Sequence, residues 1–129
     1  MAEPRHITLR ELQRAVKRTL DEQIELPVWD SAEIAEIKVN YSGHCHLELV
    51  EKGGADGVPT AQARAMIWSS NYPRIAAAFA TGTGERLTAG LHILAKALVT
   101  YHEIYGFSLQ ITDIDPAYTL GDMARQRQQ

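Results

Sequence analysis

Apolar and polar residues alternate with a period of two in four separate stretches, and this limits the fold more than any other feature of the chain. Such a period places successive side chains on opposite faces of a strand. Between Val28 and Val39, Ala32, Ile34 and the residues at alternate positions follow it, with Glu33 and Lys38 on different faces. From His44 to Glu51, one face carries His44, His46, Glu48 and Val50, and the other Cys45, Leu47, Leu49 and Glu51. From Ala61 to Ser69, Ala63, Ala65 and Ile67 oppose Arg64, Met66 and Trp68. From Phe107 to Ile114, Phe107, Leu109 and Ile111 oppose Ser108, Gln110 and Thr112. The turn signal Asn40-Tyr41-Ser42-Gly43 joins the first two stretches as a hairpin. Lys52 to Thr60, with three glycines and one proline, reads as a loop.

Two segments read as helices. Thr8 and Glu11 form a capping box, in which the hydroxyl takes a free backbone N–H and the carboxylate reaches back. Leu9, Leu12, Val16 and Leu20 then follow at helical spacing, and the helix is expected to end near Gln23, before Pro27. Arg10, Arg14, Lys17 and Arg18 lie on its other side, either as a solvated face or as a stripe against phosphates or an acidic partner. Tyr72 to Thr81 is Ala-rich, and Pro73 fits a first turn because no helical partner awaits its missing N–H. Gly82 and Gly84 are expected to end that helix.

Leu87 to His102 is ambiguous. Leu91, Ile93, Ala95, Ala97, Val99 and Tyr101 alternate, yet the stretch is rich in helix formers. Read as a helix, it makes the chain a generic α+β domain. Read as a strand, it makes the chain mainly β with helices: five strands, a helix between the third and fourth, and a leading helix. That is the order of an OB-fold, a five-stranded Greek-key barrel that binds oligonucleotides on its strand 2–3 face and nearby loops.

Composition narrows the class further. A chain of 129 residues, 45% apolar and 22% charged, suits one ordinary globular domain. A single cysteine excludes an intramolecular disulfide framework. The longest apolar stretch, Leu87 to Tyr101, is broken by His92 and Lys96, so no membrane span is expected. The N-terminus lacks the apolar segment of a signal peptide, which makes the cytoplasm the expected location. The net charge of −3 argues against gripping nucleic acid by bulk charge. Any anion-binding surface must be local.

The arrangement also resembles a known family. Ile7-Thr8-Leu9-x-Glu11-Leu12 followed by Val16-Lys17 is similar to the start of the large subunit of bacterial exodeoxyribonuclease VII. So are Ser42-Gly43-His44 ahead of Leu47-x-Leu49, and the Ala65-Met66-Ile67-Trp68 strand. Tyr101 to Gly106 leading into Phe107-Ser108-Leu109-Gln110-Ile111 resembles the family's last hairpin. Asp113-x-Asp115-Pro116 and Leu120-Gly121-Asp122 fit the link to a following domain. The likeness covers nearly the whole chain, in short pieces whose order and spacing carry it. The sequence departs from the family in a Gly-rich insert between strands 2 and 3 and in an acidic first strand (Asp30, Glu33, Glu36).

The resemblance implies an N-terminal OB-fold domain, divided as a helix (1–25), the barrel (26–116) and the start of a linker helix (117–129). The parent enzyme would hydrolyse single-stranded DNA from either end to oligonucleotides. This region would hold the strand without cutting it and without a cofactor. Its expected partners are single-stranded DNA, the catalytic domain of the same chain and the small subunit.

An OB-fold holds single strands by stacking bases on aromatic rings and tracking phosphates with basic groups. Candidates are Arg64, Met66 and Trp68 on the third strand, His44 and His46 on the second, and Lys38, Tyr41, Tyr101 and Tyr105 near hairpin ends. Each has a plainer reading: Trp68 as a core anchor, Tyr41 and Tyr105 as covers for a barrel end, Arg64 as a solvated side chain. Arg74 beside a helix N-terminus is weak support for an anion site. His44, Cys45 and His46 do not suit a metal, because alternation turns Cys45 away from both histidines and toward the core. Gly82-Thr83-Gly84 lacks the rest of a phosphate-binding loop. Asp113 and Asp115, before a proline, read as turn formers. A second function, inter-domain or subunit assembly with little DNA affinity, is favoured by the negative charge and the acidic first strand.

Overall fold

The long alternating stretches all become strands, and β1 is the longest. In the computed structural model, which describes residues 5–24, 27–53 and 56–127, the order is α1 (Leu9–Gln23), β1 (Val28–Val39), β2 (Cys45–Lys52), β3 (Pro59–Ile67), α2 (Tyr72–Thr83), β4 (His92–His102), β5 (Gly106–Ile114) and α3 (Pro116–Arg127). The strands close a barrel in the order β1-β2-β3-β5-β4. All pairings are antiparallel except β3 with β5, which is parallel and short: Ala65 opposite Leu109 and Met66 opposite Gln110. The ambiguous segment is therefore a strand from His92 onward.

β1 serves two neighbours. Its first half, Val28 to Glu33, pairs with β4, and its second half, Glu33 to Val39, pairs with β2. A bulge between Ile34 and Glu36 turns the strand from one neighbour to the other. The loop before β4 is tied to the same place: Ile34 N–H donates to the Leu91 carbonyl at 2.9 Å and Gly90 N–H to the Ile34 carbonyl at 2.7 Å.

The inward rows of all five strands fill the barrel. Ile34, Cys45, Leu47, Leu49, Ala65, Ile67, Ile93, Ala95, Ala97, Leu109, Ile111 and Ile114 are buried there. α2 packs against the same core with Ile75 and Phe79, and Leu87 joins them from the following loop. Burial pushes the Cys45 thiol up to about 11. The thiolate is the reactive form, so a thiol reagent at pH 8 should label native Cys45 far more slowly than the unfolded chain. Fast labelling of the native protein would contradict this packing.

Several boundaries differ from the sequence expectation. β3 begins at Pro59, because Lys52 extends β2 and pairs with it, and ends at Ile67, leaving Trp68 just beyond the strand. α2 runs through Gly82 to Thr83, and only Gly84, at φ 75°, caps it in the left-handed region. Leu87 to Leu91 is loop, not strand. The apolar stripe of α1 is not core: the helix has no buried residue, and Leu9, Leu12 and Val16 are exposed. The expected cap is present, with Glu11 N–H donating to Thr8 Oγ1 at 3.1 Å, and the Glu11 carboxylate reaches back to the Thr8 hydroxyl, which donates to Oε1 at 3.2 Å, instead of to the backbone N–H of a full capping box.

α3 is bound to the barrel by polar contacts. The buried Thr119 hydroxyl donates to the His92 carbonyl at 2.6 Å. The His92 ring lies between Glu33 Oε1 and Asp122 Oδ2, each at 3.2 Å, and Lys52 adds a contact to Glu33 at 3.2 Å. Burial alone would raise the Glu33 carboxyl, but Lys52 and His92 outweigh it and hold it below the usual range. Asp113 and Asp115 accept from the backbone N–H of Ile114 and Ala117, the turn role expected of them.

Candidate nucleic-acid interface

Antiparallel register sets the outer face of β1, β2 and β3 in rows. Lys38 lies opposite His46, and His46 opposite Met66. The parallel pairing carries this row on to Gln110 of β5. The neighbouring row runs Glu36, Glu48 and Arg64. A groove of about 220 Å³ lies between the two rows, with Lys38, His46 and Arg64 in its walls.

The β1–β2 turn forms one end of this face, and Asn40 organises it. Its side-chain oxygen accepts from Ser42 N–H at 3.1 Å, the Ser42 hydroxyl at 2.6 Å and His44 N–H at 3.1 Å. Its amide nitrogen is then left to face His46 Nε2 at 3.1 Å. Gly43 takes φ 89°, which a residue with a Cβ rarely adopts. Tyr41, at the apex, is fully exposed.

His44 and Trp68 form a pair beside the turn. Their rings meet edge to face, with centroids 4.9 Å apart and planes at 87°. Ser69 N–H donates to His44 Nδ1 at 3.0 Å, which holds the imidazole in place. Trp68 is 39% exposed and stands outside the buried core. The indole is thus half-open and braced by a fixed neighbour.

The β4–β5 turn forms the other end. Tyr105 is exposed, and its ring lies 4.8 Å from that of His102 at a 32° tilt. Arg64 Nη2 donates to the Tyr105 carbonyl at 2.8 Å, so the β3 side chain is attached to the hairpin turn. Arg64 thereby serves as a brace as well as a cation. Arg74 is occupied elsewhere, by the Thr112 carbonyl at 3.0 Å and Asp113 at 3.8 Å.

The structure thus gathers Lys38, Tyr41, His44, His46, Arg64, Met66, Trp68 and Tyr105 on one face and its two flanking turns. Tyr101 is not among them. It is half-buried at the hairpin end of β4, opposite the exposed Phe107 and on the same side of the strand as Ala97 and Val99. Sequence reasoning missed Gln110, which continues the Lys38–His46–Met66 row; the outward alternation of β5 was its signal, but only the β3–β5 pairing joins it to that row. It also missed that Glu36 and Glu48 share the row of Arg64. These carboxylates repel phosphate, so the half of the face nearer the β1–β2 turn suits an anion better. Cys45 is buried on the face opposite both histidines. Among the described residues, no group of three or more His, Cys, Asp or Glu is placed to hold a metal ion. None of the described helices is long and apolar enough to cross a membrane.

Residues 7–115 match the family described as the OB-fold nucleic acid binding domain. Over 122 residues, the chain is 38% identical to the exodeoxyribonuclease 7 large subunit of Deinococcus radiodurans. That alignment covers 92% of this chain and 29% of the relative, so the chain spans less than a third of that protein's length. A crystal structure of mitochondrial single-stranded DNA binding protein from S. cerevisiae aligns with a TM-score of 0.42 and 19% identity, covering 68% of this chain and 89% of that one.

Proposed function

The chain belongs to the OB-fold nucleic acid binding domain family, and from that premise we propose that it holds single-stranded DNA without base specificity. In the proposal it is the N-terminal domain of an exodeoxyribonuclease VII large subunit. The strand it holds is hydrolysed, from either end and to oligonucleotides, by a catalytic domain of the same polypeptide. Its parts are a leading segment 1–25 that contains α1, the barrel segment 26–116 and a segment 117–129 that leads toward the catalytic domain, and the enzyme's small subunit is a further partner. The domain itself is non-catalytic, needs no cofactor and works in the cytoplasm.

The observation that carries this reading is the continuous outer face. Lys38, His46 and Met66 are in register, with the His44–Trp68 pair beside them and Tyr41 and Tyr105 exposed at the two ends. It offers stacking surfaces and cations without a fixed pattern of base-edge donors, which suits sequence-tolerant binding.

Fluorescence anisotropy of labelled oligo-dT at several salt concentrations, beside a duplex of equal length, tests it. The expected result is single-strand-selective binding that weakens steeply with salt. Trp68→Ala should weaken it by about 1–3 kcal/mol, the range for one stacking aromatic. Arg64→Ala should also weaken it, by removing a cation and releasing the β4–β5 turn. Unchanged affinity in Trp68→Ala would remove the indole from the site.

One observation favours assembly as a second reading: the exposed Leu9, Leu12 and Val16 stripe on α1. If assembly is the main role, the chain should bind no strand even at low salt and should show a concentration-dependent mass.

A further inference from the structure

α1 lies beside the same hairpin that forms one end of the candidate face. Gln13 Nε2 donates to the Glu103 carbonyl at 2.8 Å, and Glu103 is in the β4–β5 turn with Tyr105. At 100° per residue, Gln13 stands between the apolar stripe and the basic one. The basic stripe therefore begins where the helix touches the hairpin. Lys17 and Arg14 are near enough to Glu103 to act on its carboxyl. A hydrogen bond from its own backbone does most to hold that carboxyl below the usual range, and Lys17, His102 and Arg14 add to it against the opposing effect of burial.

The cations of this stripe are not consumed by the fold. Arg10, Arg14, Lys17 and Arg18 are exposed, and among the described residues none forms an ion pair within 4 Å. Arg10, Arg14 and Arg18 recur at intervals of about 6 Å along the axis. Glu11 is occupied by the cap; Asp21 shares the azimuth of the stripe, one turn after Lys17 and Arg18, so the cations clear of a carboxylate neighbour are those of its first turns. Glu103 is the one carboxylate of the β4–β5 turn, facing several cations.

We infer that a bound single strand continues past Tyr105 onto α1, where Arg10, Arg14 and Lys17 track its phosphates. The inference rests on the barrel-face reading above and extends it to a second anion-binding segment. Its consequence is a site longer than the barrel face. A short strand fills the face alone, whereas a longer one gains the helix.

The test compares the full chain with the triple variant Arg10→Gln, Arg14→Gln, Lys17→Gln, which keeps good helix formers at exposed positions. Circular dichroism establishes that both are folded. Anisotropy is read with oligo-dT of about 6 and of about 20 nucleotides, chosen inside and beyond the usual span of one OB-fold. On the long strand, the slope of log K against log salt should fall by about 2, as three lost phosphate contacts at about 0.7 each require. On the short strand, affinity should stay within about twofold. A long-strand slope that does not change, while the short strand still binds the unaltered chain, would overturn the inference alone. An equal loss on both strands would replace the track by a general field and overturn it as well. No binding of either strand by the unaltered chain would overturn the barrel-face reading and this extension with it.

Discussion

Phe79→Ala is expected to cost about 3–5 kcal/mol, the range for emptying a buried aromatic site. Phe79 is fully buried, on the α2 face that also carries Ile75, and both pack with residues of the barrel core. Closed sheet on one side and helix backbone on the other limit how far the surroundings can collapse into the space. Net stabilities of about 5–15 kcal/mol make this a large fraction of the total. Urea denaturation should show a much lower midpoint with a similar slope. A loss below about 1 kcal/mol would mean that α2 does not pack on the barrel core as described.

Gly82→Val should cost about 3 kcal/mol, at the upper end of overpacking penalties. A Cβ built on Gly82 meets Pro116 Cβ at 2.5 Å and Cγ at 3.0 Å. Pro116 is the first residue of α3, and its ring cannot swing away as a flexible side chain would. The residue preceding it, Asp115, donates its N–H to the Leu94 carbonyl at 2.9 Å, so the backbone there is also held. Gly82→Ala gains about 1 kcal/mol of helix propensity, yet the clash should reverse the sign. Thermal denaturation of the two variants distinguishes the cases: if alanine stabilises, the close approach of α2 and α3 is not required.

Gly82 also shows why part of the fold was hidden in the sequence. Near the end of an Ala-rich run, a glycine reads as a stop, and only the packed Pro116 reveals its role as a point of close approach. The strands were legible because each has one buried face, which imposes alternation. The capping box was legible because it is local. The β3–β5 seam was not, since two pairs of residues leave no pattern in either strand. Nor was the exposure of the α1 stripe, since periodicity marks an apolar face but not what covers it. For the candidate site, alternation already grouped Arg64 with Met66 and His44 with His46. It could not align those strands with each other or give Arg64 its bond to the Tyr105 carbonyl. Tyr101 is a hairpin-end aromatic, as the sequence suggested, one pair inside the closing His102–Gly106 pair, but alternation sets it on the row of Val99 and not on that of the outer face.

The two-neighbour arrangement of β1 has a consequence for how the chain unfolds. Its first half is the partner of β4 and its second half the partner of β2, and they are joined through the bulge after Ile34. One strand is therefore common to both halves of the sheet, so neither half can separate as an independent cooperative unit. Forming the β1–β4 ladder also brings together segments some sixty residues apart, such as Ala32 and Ile93. That makes ring closure a late, entropically costly step of folding, reached after the local β1–β2 and β4–β5 hairpins. The expected behaviour is all-or-none unfolding, in which probes of the β1–β2 and β4–β5 ladders lose signal together.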